Sequence, residues 1–306
     1  MKSNYRYIVK AFMAMAVIAG TTSCDDFLDR EPMSSISPET YYSTAAQLEA
    51  NLNDEYPNVL PSFGQWTYGI FGEDKGTDNQ IEVNANDRYT QDRWKVPHSE
   101  SDNWKFERIY RINFFLSEAL PKFGEDMSGS QNTISGSVAT IKHYIGEMYF
   151  LRAYEYFKKL QLFGDFPIIN QPLADEMEAL REASKRFPRN EVARFIISDL
   201  DKAYAYMSDV DMATTRINKD VAMLVKSRVA LFEATWLQNF KGTAFVPGGE
   251  GWPGASLHNN YQYPSGNIDN EVKYFLEQAV EASKLVADKY KGSLTENTGV
   301  LQQSAD

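Results

Sequence analysis

The sequence has one cysteine in 306 residues, Cys24. No disulfide can form within the chain, so its fold rests on burial. Three histidines, His98, His143 and His258, lie too far apart to show metal-ligand spacing. Basic residues are the minority, 31 Lys and Arg against 42 Asp and Glu. No basic stripe occurs, which excludes the usual footprint of a nucleic-acid partner. No apolar run approaches the roughly 20 residues of a membrane-spanning helix, and there is no G-x-x-x-x-G-K-[ST] loop. The segment Gly249–Gly254 matches G-x-G-x-x-G literally, but it follows a helical pattern and places Pro253 where a helix would begin, so it is not a dinucleotide fingerprint. With so many acids, a carboxylate pair for glycoside hydrolysis can always be imagined, and composition lends that chemistry no support.

What is present begins with the N-terminus. Lys2, Arg6 and Lys10 precede the apolar run Ala11–Gly20 and the small residues Thr21, Thr22 and Ser23. A core this short suits a secretory signal rather than a span. A cleavage site ending at a cysteine resembles the bacterial lipoprotein signal, in which the cysteine is lipidated. Thr21 departs from the aliphatic residue usual there. Cleavage removes three basic residues and no acid, leaving a chain more acidic than the starting −11. Such a chain is repelled by anionic headgroups, so attachment has to come from lipid. Asp25, Asp26 and Asp29 follow at once. Most such runs are solvated linkers, yet this one also resembles the surface-export signal of Bacteroidota lipoproteins. The expected organisation is a signal peptide over 1–23, a lipidated tether over 24–37, and a folded body over 38–306, with 43% hydrophobic and 13% aromatic residues to build a core.

The body reads as helices. Ser37-Pro38-Glu39 carries the marks of a helix start and predicts a helix to about Val59, stopped near Pro57 and Pro61. Periodicity vanishes from Pro61 to Asn103, and a stretch this long without pattern usually serves a purpose. It returns as buried stripes: Ile109–Ala119, then Ile134 onward to the Gly164-Asp165-Phe166-Pro167 break. A helix capped by Asn190 follows with Ile196, Leu200, Ala203 and Met207, then one capped near Asn218 with Ala222, Val225, Val229, Phe232 and Trp236. The last carries Val272, Phe275, Ala279, Ala282 and Val286. The fold class is therefore mainly α, with tetratricopeptide-like helical hairpins and long irregular loops. No strict period of ~34 residues is found. Residues 190–240 read as the clearest hairpin. The helix at 271–290 reads as unpaired before a polar tail, so the chain reads as truncated.

Five pieces then agree in order. Glu147, Phe150, Leu151, Arg152, Ala153, Tyr156, Phe157, Gly164, Asp165 and Pro167 closely resemble the signature segment of SusD/RagB nutrient-binding lipoproteins. CDDFLDREP resembles that family's mature start, and Trp104–Asn113 its W-x-x-x-Y-x-x-I-N helix. Ile196, Ile197, Asp199, Leu200 and Ala203 resemble a third helix, and Arg216, Lys219, Ala222, Val225 and Arg228 a fourth. The resemblance implies a lipid-anchored protein on the outer face of the outer membrane. It would capture oligosaccharides or peptides, without chemistry of its own, and pass them to a TonB-dependent transporter. Members of the family are usually much longer, with a C-terminal half that is absent here. The alternative is a helical-repeat scaffold that binds protein partners only.

Arg152 lies in an apolar stretch, where a buried cation demands a partner; Glu147, Glu155 and Asp165 are the expected ones. Trp66, Tyr68, Tyr89, Trp94 and Trp104 lie in or beside the long loop region. Each ring can stack on a sugar or simply bury itself, and for any one of them burial is the commoner fate. Trp94, between Arg93 and Lys95, is the leading candidate for ligand contact, with Asp78 among the polar neighbours. Trp252, in a Gly- and Pro-rich loop with Tyr261 and Tyr263, is second. The cluster Glu73, Asp74, Asp78, Asn79, Glu82, Asn84, Asn86 and Asp87 offers oxygen ligands to calcium, but it lacks the EF-hand spacing and reads first as a solvated acidic loop.

Overall fold

The computed structural model describes residues 41–61, 103–124, 126–208, 212–213 and 215–293. Seven α-helices carry these residues: α1 (Ala45–Val59), α2 (Glu107–Phe123), α3 (Val138–Phe163), α4 (Met177–Ala183), α5 (Arg189–Tyr206), α6 (Lys219–Asn239) and α7 (Ile268–Tyr290). Strand pairing among the described residues is limited to two isolated bridges, Thr44 with Ser135 and Phe166 with Phe187. The mainly helical class expected from periodicity is what is found. The Ser37-Pro38 start lies outside the described residues. Within them, α1 starts at Ala45 with its own capping box: Thr44 accepts from the Gln47 backbone N–H, and the Gln47 side chain reaches back to Thr44. It ends at Val59 as expected, although Pro57 sits inside its last turn.

Helix α3 is the axis of the packing. It lies against α1, α2 and α5, and its buried residues run almost continuously from Ile141 to Leu160 on every face. A helix buried all round has no solvent stripe, and its polar residues must be satisfied by neighbours. Three of them reach out to neighbouring elements. Glu147 accepts from Tyr56 of α1 (2.9 Å) and from Arg216 (2.6 and 2.8 Å). Tyr156 exchanges two hydrogen bonds with the backbone of Ile169, accepting from N–H (2.8 Å) and donating to the carbonyl (3.0 Å). Arg152 holds Asp199 of α5 with two parallel bonds, Nε to Oδ2 at 2.6 Å and Nη2 to Oδ1 at 2.8 Å. Its Nη1 donates to Asn113 of α2 (2.9 Å) and to the Asn170 carbonyl (3.1 Å). The expected partners Glu147, Glu155 and Asp165 are thus corrected. Arg152 leaves α3 on the side facing α5, whereas Glu155 pairs with Lys158 and Lys159 of its own helix.

Helix α5 comes close to α3 at Gly146. A β-carbon there would stand 2.8 Å from the Met207 nitrogen and 2.9 Å from the Ala203 carbonyl oxygen, so only glycine permits this approach. Asn190 is not the cap of α5. It lies in the first turn, buried, and its side-chain N–H donates to Glu271 of α7 (3.0 Å). Asn218 does cap α6, accepting from Val221 N–H.

The helices pair differently from the sequence reading. Helix α5 packs most extensively on α3, and α6 most extensively on α7, with α5 and α6 forming the joint between the pairs. The stripe of α7 is therefore covered: Phe275, Ala279, Ala282 and Val286 are buried against that packing, and Ser227 of α6 donates to the Ala279 carbonyl (3.0 Å). The expectation of an uncovered last helix is corrected. Its mate precedes it in the chain, across a 28-residue connection whose length hid the pairing.

Substituting Asp199→Ala leaves the Arg152 cation buried and half unpaired. Urea unfolding should show a loss of about 3–5 kcal/mol. The double variant Arg152→Met/Asp199→Ala should recover part of that loss, because it removes the orphaned charge.

Candidate functional site

The break after α3 and the connection between α6 and α7 meet at one carboxylate. Gly164 ends α3 in the left-handed region (φ +68°), its N–H donating to the Leu160 carbonyl (2.9 Å). This reversal turns Asp165 toward α5. Asp165 Oδ1 accepts the Arg189 backbone N–H (2.9 Å), a group at the start of α5 with no partner inside its helix. Oδ2 accepts the Trp252 indole N–H (2.8 Å). Burial pushes the Asp165 carboxyl up from its ordinary value, against the opposing pull of these two donors. Phe166 is fully buried in a cluster of rings from Trp104, Phe106, Tyr156 and Phe163. Its backbone pairs both ways with Phe187.

Arg189 turns inward. Its guanidinium forks onto the buried Glu233 of α6 (2.8–3.2 Å) and stacks over the Trp236 ring at 4.0 Å. Burial raises the Glu233 carboxyl, with Arg189 opposing that rise. Trp252 is 5% exposed. Its ring lies against His258 (5.9 Å, 24°) and Tyr261 (5.6 Å). Tyr261 donates to Asn190 (3.0 Å), Tyr263 to the Pro247 carbonyl (2.6 Å), and Trp236 to the Phe245 carbonyl (3.0 Å). The aromatic rings of the α6–α7 connection thus hold that loop in place. A cleft of about 510 Å³ opens above them. Its floor is Asp165 and Trp252, and its rim is Leu162, Phe245, Leu257 and Arg186. The three apolar rim residues are more than half exposed. Mixed apolar surface and a few convergent polar groups is the usual make-up of a small-ligand site.

Of the residues singled out by sequence, Trp252, Tyr261 and Tyr263 come together here. Trp252 forms the cleft's inner wall, with its N–H already committed. Trp104 packs beside the same cleft, under the Arg186 guanidinium at 4.6 Å. Cys24, Trp66, Tyr68, Asp78, Tyr89, Arg93 and Trp94 lie outside the described residues, as does the acidic-amide cluster proposed for calcium. Among the described residues no group of three or more His, Cys, Asp or Glu is arranged to hold a metal. The G-x-G-x-x-G match is a turn running into a short 3₁₀ segment at Pro253–Ser256, after α6 and with no strand before it. Sequence reasoning missed Arg186, Phe245 and Leu257. The available signal was two large apolar residues, Phe245 and Leu257, in a loop otherwise rich in Gly and Pro.

The SusD-like family described as "Starch-binding associating with outer membrane" matches residues 26–231. Among curated relatives, SusD-like protein P2 of Formosa agariphila is 25% identical over 253 residues, covering 79% of this chain and 46% of its own length. SusD-like protein P25 of the same organism is 25% identical over 233 residues, covering 70% and 41% respectively. The chain thus spans less than half the length of the curated relatives it matches. A SusD-like crystal structure from Bacteroides fragilis aligns over 69% of this chain and 39% of that one, with 21% identity and a TM-score of 0.48.

Trp252→Phe keeps an aromatic side chain, makes it smaller and deletes the N–H that Asp165 accepts. The expected cost is about 1–3 kcal/mol in chemical denaturation, together with faster limited proteolysis within 240–258. Unchanged stability and unchanged cleavage would show that this bond does not hold the loop.

Proposed function

The chain belongs to the SusD-like family, whose description is starch-binding and associated with the outer membrane, and from that premise we propose that it is a nutrient-binding lipoprotein of the outer cell surface. In this reading residues 1–23 are a cleaved signal, Cys24 carries lipid, 24–37 form the tether, and the repeats of 38–306 present the binding loops. The protein captures oligosaccharides, or peptides as a variant of the same task, and hands them to a TonB-dependent transporter without performing chemistry. The observation that carries the proposal is the family match, which begins two residues beyond Cys24 and runs into α6. Among the described residues no helix is long and apolar enough to cross a membrane.

Ligand contact is assigned to Trp94, with Trp66, Tyr68, Asp78, Tyr89 and Arg93 around it and the Trp252 cleft as a further surface. Flat rings cover the apolar faces of sugars while amide, acid and guanidinium groups bond their hydroxyls. A scaffold without a ligand site is the second reading. It is favoured by Leu224, Leu231, Leu276 and Val280, which α6 and α7 leave exposed.

Affinity electrophoresis through gels containing starch separates the two. The wild-type protein should be retarded, and Trp94→Ala should run freely while melting at the wild-type temperature. Retardation that survives the substitution would remove Trp94 from the site. Absence of any retention, with a transporter still co-purifying, would favour the scaffold. Cys24→Ser should release the protein from the membrane fraction and abolish metabolic labelling with palmitate.

A further inference from the structure

The charges lining the cleft are unequally satisfied. Asp165 has both oxygens occupied, and Arg189 is matched by Glu233. Arg186 has no carboxylate partner among the described residues; its guanidinium stacks on Trp104. Its backbone is nevertheless fixed. The Arg186 carbonyl accepts from His258 Nε2 (2.8 Å), and the next residue, Phe187, is paired both ways with Phe166. The guanidinium is therefore a held cation whose edge is free to bond. It borders a cleft whose other rim groups are apolar, with Gln161 supplying an exposed amide.

We propose that this cleft binds an anionic sugar unit, with its oxyanion group forked onto Arg186 and an apolar ring face on Phe245. A guanidinium fork matches two oxygens of a carboxylate or a sulfate ester, so the shared chemistry is an acidic saccharide from either source. Stacking on Trp104 limits the rotamer freedom that Arg186 loses when it binds. The Asp165 carboxylate faces the same cleft, but its two engaged oxygens direct its charge toward Arg189 and the Trp252 indole. The inference rests on the carbohydrate-binding reading and names a substrate class for one of its surfaces.

Isothermal titration with three probes tests it: a galacturonate trimer, a sulfated galactose trimer and neutral maltotriose. The wild-type protein should bind one charged trimer about tenfold or more tightly than maltotriose, with Trp104 fluorescence responding and the preference shrinking as salt rises. Which charged trimer is preferred assigns the oxyanion. Arg186→Gln should erase the preference and Arg186→Lys should keep part of it, with thermal melting verifying that both fold. A wild-type protein that binds maltotriose as tightly as either charged trimer overturns the inference and leaves the carbohydrate reading intact. A preference that survives Arg186→Gln overturns it as well. Failure to bind any of the three overturns the inference, and retention in starch gels then decides the carbohydrate reading by itself.

Discussion

The buried guanidinium of Arg152 is the interaction on which the arrangement of the helices depends. Four of its bonds go to three different elements: two to α5, one to α2 and one to the extended segment after α3. An isolated cation in this position would be prohibitively costly, so the three elements can pack on α3 only in the register that brings Asp199, Asn113 and the Asn170 carbonyl to it together. Apolar packing alone tolerates sliding and rotation. A planar fork with fixed partners does not. Glu147, one turn and a half away on the same helix, imposes the same demand on α1 and on Arg216, so α3 acts as a rod with polar keys at two heights.

The same logic extends outward from the end of that rod. Asp165 stands one residue past the glycine that stops α3. Its two oxygens take the first N–H of α5 and the indole of the α6–α7 connection. A loop more than eighty residues away in sequence is thereby fixed to the central helix instead of only to the helices that carry it. The cleft lies where these elements converge, and its rigid floor follows from the turn beneath it.

The helices were legible because their stripes follow the 3.6-residue period and because Asn218 and Gly164 are strong local signals. Partner choice was less legible. Arg152 needs an acid, but Glu155 and Glu147, three and five residues away on the same helix, and Asp165 just past its end compete on paper with Asp199, which is 47 residues distant. Only the direction in which the side chain leaves the helix decides. Asn190 carries the composition of a cap and is used instead as a buried donor to Glu271, because α7 supplies an acceptor that no local pattern reveals. The pairing of α6 with α7 was hidden by the long loop between them. In the cleft, Trp252 is visible as an aromatic in a Gly- and Pro-rich loop, whereas nothing in the local sequence sets Arg186 apart from its neighbours Arg181, Lys185 and Arg189.

The anchoring of Trp252 divides the α6–α7 connection into two spans, each tied at both ends. Gly242, Gly248 and Gly251 in the first span adopt left-handed backbone, and two of them, Gly242 and Gly248, have open space where a side chain would stand. Side chains are strained at those left-handed positions and a β-carbon at Gly249 would stand 1.9 Å from the Thr243 carbonyl oxygen, so the path of that span is set by its glycines and only outward side chains such as Phe245 are open to change. The connection behaves like a fixed mount with a changeable facing: the backbone holds the rim's position while its outward side chains set what the rim offers.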